Sequence, residues 1–443
     1  MLKKIVSILL ALTLALSVST WAMATSAADM SGESGKIGEF QSADTPDSAK
    51  ADAVIIYKTI KAYNQTSTKV NAPTITYEYT IAPGTAGATV KDSDDTSIHA
   101  NGNAVEVQVK AGPTGAKISG SPDGNTYTEG ELALTPTVEL DASAAGADNK
   151  YPLKVDLSGV TWSGAGVYRY VITESTTESA KNLAGIAEGD DTADNIRYLD
   201  VYVKDGTTAG TYDIYGYVLF SELGNITAED EDDAGKTEGF EADDYYTFDL
   251  TISKELKGDN ANNSHQFPFN VDFTNNWVTA VIGLKQTTVE GGGITANLPA
   301  NAAVSSLDVA DLGLANGASV TYIGIPVGIT AATTVAVYET NDVTGTVYGS
   351  TYKIDDVAPD GNYKQLTWVS DNDANKSNTA TLSGLTMNAH DSKSKHTIAF
   401  TNTLELISPT GVVLRIAPYA LIMIAGIALF LISRRRKTTK EEE

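Results

Sequence analysis

Cysteine is absent from all 443 residues, so no disulfide, thiol nucleophile or thiolate metal site is open to this chain. Histidine is nearly absent too: His99, His265, His390 and His396 are scattered and form no metal-ligand spacing. There is no Gly-x-Ser-x-Gly elbow and no phosphate-cradling glycine loop. The run Asp371-Asn372-Asp373-Ala374-Asn375 starts like a calcium loop, but it lacks the central Gly, and Leu382 stands where the closing Glu belongs. Positive charge is in deficit, 31 Lys and Arg against 56 Asp and Glu for a net −25, which sets the surface against nucleic acid and anionic membranes. These absences leave no constellation for turnover of an external substrate, so the sequence reads as non-enzymatic, with no cofactor and no metal.

Helical periodicity is also missing between the two ends. In its place are short Val/Ile/Tyr/Thr-rich runs parted by Gly, Asp, Asn and Ser: Val54–Ile60, Ile75–Ile81, Val105–Val109, Tyr168–Ile172, Tyr198–Val203, Tyr212–Phe220, Asp249–Leu256, Val335–Tyr338 and Thr397–Thr401. Several alternate apolar and polar residues, as half-buried sandwich strands do, so the chain is expected to be all-β. The acidic run Glu229–Asp233 reads as solvated loop ahead of Lys236. A fresh strand is expected at Asp249, which divides the body into a first β-sandwich over 51–245 and a second over 246–405. A Gly/Ala/Ser/Thr-rich insertion near 111–149 belongs to the first.

The ends carry addresses. Lys3 and Lys4, the apolar run Ile5–Val18 and Ala22-Met23-Ala24 make a secretory signal peptide over 1–24, cut after Ala24 with Ala27 or Ala28 as alternatives. Residues 25–50 are small, polar and acidic and read as a flexible leader. At the other end Ile407-Ser408-Pro409-Thr410-Gly411 precedes an apolar stretch to Ser433 and the cluster Arg434-Arg435-Arg436-Lys437. This reads as a pentapeptide over 407–411, a C-terminal transmembrane sorting helix over 412–433 holding the precursor in the membrane, and a cytoplasmic basic tail over 434–443. An ordinary tail anchor is the plainer alternative. Pro-Thr-Gly directly before the span, with almost nothing after the basic cluster, favours a sorting signal.

Facing can be read from the period of two along a strand. Lys58 shares a face with Val54, Ile56 and Ile60, and Lys254 with Leu250, Ile252 and Leu256. Glu174 continues the face of Tyr168, Tyr170 and Ile172; Glu339 continues that of Val335 and Val337. Asn402 follows Ile398 and Phe400 and precedes Leu404 on one face. Inward Lys and Glu are rare unless paired. One explanation is that each sits at a strand end with its charged head reaching water. Recurrence of the same order in both halves points instead to a spontaneous Lys–Asn or Lys–Asp amide crosslink. A dry setting disfavours the ammonium and the carboxylate alike. A neutral amine is nucleophilic, and a protonated Glu can polarise the carbonyl and carry protons to the leaving group. Holding amine and carbonyl side by side supplies effective concentration, and the neutral product removes two buried charges.

Asp249-Leu250-Thr251-Ile252-Ser253-Lys254, Ile325-Pro326-Val327-Gly328, Val337-Tyr338-Glu339 and Phe400-Thr401-Asn402 together resemble the C-terminal domain of the major (backbone) pilins of Gram-positive bacteria. Tyr57-Lys58, Tyr77-Glu78-Tyr79-Thr80-Ile81 and the run Gly166–Glu174 resemble the preceding pilin domain. The resemblance implies tandem immunoglobulin-like (CnaB-like) β-sandwich domains, flanked by the signal peptide and the sorting helix. It implies bonds Lys254–Asn402 and Lys58–Asp243, with Glu339 and Glu174 promoting them. The family has Phe-x-Asn at the end of the first domain; here the run is Phe240-Glu241-Ala242-Asp243-Asp244. Alignment back from the Leu250 strand selects Asp243, whereas strand phase counted from Lys254 selects Asp244, so Asp244 stays an alternative.

The tail motif likewise resembles the Pro-Thr-Gly variants read by sortases, which cut between Thr410 and Gly411. The implied product is a covalent homopolymer in which Thr410 of one subunit joins a lysine of the next. Lys236 is the polymerisation lysine implied, with Lys204 and Lys181 as substitutes. The partners implied are a sortase, other pilin subunits, and peptidoglycan directly or through the terminal subunit; no nucleic acid is expected. The expected location is the extracellular cell-wall and pilus surface. The alternative is a monomeric cell-wall adhesin that binds a host or neighbour-cell ligand through the first-domain insertion.

Overall fold

The computed structural model describes residues 53–86, 89–91, 106–189, 195–222, 237–258, 261–274, 282–283, 285–289, 294–295, 303–304, 308–368, 375–387, 393–404 and 421–432. The signal peptide, the leader, the Glu229–Asp233 run, Lys236, the 407–411 pentapeptide with Thr410 and Gly411, and the 434–443 tail lie outside the described residues.

The first strand, Ala53–Tyr63, buries every second residue, including Val54, Ile56, Lys58 and Ile60, as a strand with one face on a core must. It pairs antiparallel with Ala147–Asp156 and parallel with the start of Gly239–Lys257. Against this sheet lies a second one built on Gly166–Glu174, with Ile75–Pro83 on one side and Ile196–Asp205 then Tyr212–Phe220 on the other. The insertion is not structureless: Lys117–Gly120, Thr128–Glu129 and Glu131–Leu134 are strands that extend the first sheet.

The rest of the body repeats the scheme. The later part of Gly239–Lys257 pairs antiparallel with Ser319–Pro326 and parallel with the last body strand, Lys395–Leu404. Val347–Ile354 lies beyond that last strand. A five-stranded sheet faces it, with Phe267–Thr274 and Thr333–Thr340 paired at its centre. The buried hydrophobic residues accordingly form two clusters, one ending at Tyr245 and the other beginning at Phe248.

Between the clusters the strand does not restart at Asp249, as the sequence pattern suggested. Gly239–Lys257 is one uninterrupted strand of 19 residues. Its register slips between Phe248 and Leu250, so Thr247, Phe248 and Asp249 are all buried in succession and the inward face changes parity there. The junction is tied by polar contacts. The Asp249 carboxylate accepts hydrogen bonds from Asn64 Nδ2 at 2.9 Å, Thr66 Oγ1 at 2.6 Å, Ser67 Oγ at 2.7 Å and the Gly324 amide at 3.2 Å. Donors on both sides satisfy a buried anion, and Tyr63 stacks on Tyr246 with ring centroids 4.2 Å apart.

One expectation is overturned. Among the described residues no helix is long and apolar enough to cross a membrane. Within the stretch expected to span, the described residues 421–432 are helical. The transmembrane sorting helix over 412–433, and a precursor membrane-anchored by it, are therefore not upheld.

Candidate crosslinking sites

In each sandwich a lysine and an Asp or Asn sit on neighbouring parallel strands of one sheet, and a glutamate reaches them from the sheet opposite. In the first, Lys58 Nζ lies 2.9 Å from Asp243 Oδ2 and 3.2 Å from Glu174 Oε2. All three residues are 2% exposed, so charged heads reaching water from strand ends do not account for them. The Tyr79 hydroxyl donates to Glu174 Oε2 at 3.3 Å. The Tyr77 ring lies 5.0 Å from Lys58 Nζ and closes the site with an apolar face that attracts a cation. Burial, reinforced by the negative charge of Asp243 and Glu174, holds the Tyr77 phenol well above its ordinary pKa, so it remains neutral.

The second site follows the same plan with different chemistry. Lys254 Nζ donates a short hydrogen bond to Glu339 Oε1. Asn402 Nδ2 donates to the same oxygen at 2.8 Å, and Ser350 Oγ donates to Oε2 at 2.6 Å. The Phe267 ring takes the place of Tyr77, 4.3 Å from Lys254 Nζ. Glu339, Asn402 and Ser350 are wholly buried. Burial pulls the Lys254 amine below its ordinary pKa despite the opposing attraction of Glu339, which favours the nucleophilic form. Asn402 Oδ1 is buried without a partner. Turning that amide by half a revolution presents Oδ1 to Glu339, where a protonated carboxyl would polarise the carbonyl.

Register explains the aspartate. Lys254 stands opposite Phe400, and Asn402 opposite Leu256; Lys58 stands opposite Phe240, and Asp243 opposite Ile60. In both pairs the acceptor sits across from the residue two beyond the lysine. The first pair reaches this only through a register shift between Lys58 and Ile60, which absorbs one extra residue in Phe240-Glu241-Ala242-Asp243. Asp244 is turned away from the site, half-buried, and accepts from the Tyr246 hydroxyl at 3.2 Å. Phase counted from Lys254 selects it because the count crosses the slip at Phe248.

Two participants escaped the sequence reading. Ser350 is paired across the sheet with Asn402, but a serine on a strand carries no signal of its own. Lys181, considered above only as a surface amine, is wholly buried in the first site, on the short helix Glu178–Leu183. Its Nζ is 2.8 Å from Glu174 Oε1, 3.1 Å from Glu188 Oε1 and 3.3 Å from Asp243 Oδ2. It is not a surface lysine available to a neighbouring subunit. Lys204, the other substitute for Lys236, is partly exposed on Ile196–Asp205. Among the described residues no group of His, Asp and Glu is arranged to hold a metal ion.

No family model matches the chain, and no curated protein matches it. Among solved structures it is similar to the major pilin protein T3.2 of Streptococcus pyogenes serotype GAS13637, with TM-score 0.35 and 18% identity over 80% of this chain and 100% of that one. It is also similar to the major pilin protein T-13 of S. pyogenes serotype GAS131465, with TM-score 0.32 and 17% identity over 80% and 99%. A pilus-presented adhesin, Spy0125 (Cpa), matches with TM-score 0.24 and 11% identity over 79% and 100%.

Proposed function

We propose that this chain is a structural shaft subunit of a sortase-assembled surface pilus, stabilised by two autocatalytic isopeptide bonds, Lys58–Asp243 and Lys254–Asn402. Glu174 promotes the first and Glu339 the second, in sandwich domains over 51–245 and 246–405. The protein is exported and acts outside the cell as covalently joined subunits, Thr410 of one to Lys236 of the next, and it turns over no external substrate.

The observation that carries this reading is the duplicated burial of Lys, Glu and Asp or Asn between the first and last strands of each sandwich. Isolated buried charges cost several kcal/mol each, and nothing in an ordinary sandwich core calls for them twice in the same order. A bond between those strands puts the load-bearing path on covalent links. Asp243 and Lys254 lie on the same continuous strand, so tension leaving the first bond runs directly into the second. Such bonds do for this cysteine-free chain what disulfides do elsewhere.

Intact mass of the mature chain tests the bonds: loss of one water and one ammonia is expected, and an unshifted mass sinks the proposal. Polymerisation is tested separately. Lys236→Ala should abolish the high-molecular-weight ladder in surface extracts, and an unchanged ladder rules out that lysine as the linking residue.

A further inference from the structure

The first site holds one cation more than a Lys–Asp bond consumes, and the second site does not. Lys58 and Lys181 both contact Glu174 and Asp243. In the second site, among the described residues, Lys254 is the one lysine paired with Glu339, and Asn402 is neutral. The difference tracks the electrophile. A carboxylate repels a nucleophile and must have its charge neutralised before it is attacked; a side-chain amide needs no such help.

We propose that Lys181 is a third catalytic side chain of the first bond: an ammonium that neutralises the Asp243 carboxyl while Lys58 attacks it, and that afterwards remains as the counter-ion of Glu174. The proposal rests on the crosslink reading above and assigns a role within it.

The geometry divides the work between the two lysines. Lys58 Nζ, the nearer to Asp243, attacks Cγ. The C–N bond forms first, giving a tetrahedral intermediate, and the bond from Cγ to Oδ2 breaks as that intermediate collapses. Of the three ammonium hydrogens, one stays on the amide nitrogen and two reach the departing oxygen by way of Glu174, so the oxygen leaves as water with no net change of charge. Negative charge in the tetrahedral intermediate gathers on Oδ1. That atom faces the Lys181 ammonium and the Gly189 amide, each at 3.4 Å, a pair of donors placed for an oxyanion.

Lys181 suits the cationic role better than the nucleophilic one. Burial by itself pulls its amine down, but Asp243 and Glu174 outweigh burial and hold it above the ordinary lysine value. Its third carboxylate partner, Glu188, is at the rim. Once Lys58 and Asp243 have become a neutral amide, Lys181 with Glu174 is still a paired, buried couple. Without it the spent site would strand a lone carboxylate in a dry core.

The test uses the intact chain in three forms: wild type, Lys181→Met and Lys181→Arg. Intact mass is followed over time after purification, and the wild-type crosslink is mapped by peptide mass spectrometry. The wild type should lose its water and yield a Lys58–Asp243 peptide with Lys181 unmodified. Lys181→Met should still lose ammonia from the second site, while its water loss slows by about a hundredfold. Lys181→Arg, which keeps the charge, should recover most of that rate. Water loss in Lys181→Met at the wild-type rate overturns the proposal alone, as does a mapped bond on Lys181 itself. Should Lys181→Met fail to fold, a folded Lys181→Arg chain that never loses water also overturns it. A wild-type chain that keeps its water overturns the crosslink reading, and this role with it.

Discussion

The two sites are variations on one arrangement, and their differences are chemical rather than topological. Both take a lysine from one strand, an acceptor from its parallel neighbour and a glutamate from the facing sheet. The first uses Asp243 and surrounds Glu174 with Lys58, Lys181 and the Tyr79 hydroxyl. The second uses Asn402 and surrounds Glu339 with Lys254, Ser350 and the amide itself. Where the acceptor brings a charge, a second cation is present; where it is neutral, a hydroxyl suffices. The comparison teaches that the site is balanced around the glutamate, and that the acceptor decides what the balance requires.

The largest expected effects come from removing each glutamate. Glu339→Ala should keep the loss of water and abolish the loss of ammonia. Glu174→Ala should do the reverse. Each chain forfeits one crosslink that closes a long loop, about 4–5 kcal/mol in the chain-entropy model, read as a lower unfolding midpoint of that sandwich. Glu174→Ala should be the more damaging of the two, because it also strips Lys181 of a buried partner, at about 3 kcal/mol or more. Equal destabilisation by the two variants would break the comparison.

Exchanging the acceptors sharpens it. Asp243→Asn leaves Lys181 in place and should still close the first bond, now with loss of ammonia. Asn402→Asp adds a carboxylate beside Glu339 with no second ammonium to neutralise it, and its bond should form at least tenfold more slowly than the parent bond. Mass measured over time reads both. If Asn402→Asp closes as fast as wild type, acceptor charge is not what the first site is built around.

How much of this was legible beforehand follows from what a period of two can show. The inward faces of Lys58, Glu174, Lys254, Glu339 and Asn402 were readable because each lies within a strand whose apolar neighbours fix the phase. Phase fails where register shifts. That is why Asp243 and Asp244 were not separable by counting across Phe248, and why the continuity of Gly239–Lys257 was hidden behind a change of parity. Lys181 was hidden for another reason: a helix of six residues spans too few turns to show a periodic face. The membrane span was inferred from the apolar run and the basic cluster after it, but among the described residues no helix is long and apolar enough to cross a membrane.

Ser350 offers a smaller test. Its hydroxyl is the donor to Glu339 Oε2 and is itself held by Asn378 Nδ2 at 3.1 Å. Ser350→Ala should cost about 1 kcal/mol and slow ammonia loss severalfold without touching water loss, because nothing in the first site depends on it. A change in water loss would show that the two sites are coupled through the junction strand rather than independent.

The smallest contrast lies outside both sites, in two aspartates whose pKa is lowered by different means. In the first sandwich Asp123 is brought down to about 2 by the amides of Thr126 and Asn125 and the Ser121 hydroxyl. In the second, burial works to raise the Asp355 value, but His396, the Thr397 amide and Lys393 together hold it below the ordinary carboxylate range. In both cases the folded value lies under the unfolded one, so the stabilising contribution is complete above about pH 4 and fades as pH falls through the folded value. Salt should separate them. Neutral amides and a hydroxyl are barely screened, whereas Lys393 is half-exposed, 3.0 Å from the Asp355 carboxylate, and open to screening. Carboxyl-carbon NMR titration at low and high salt should therefore move the Asp355 midpoint upward and leave that of Asp123 in place. Equal movement would mean that Asp123 too is held by charge, and that its backbone turn contributes less than its geometry indicates.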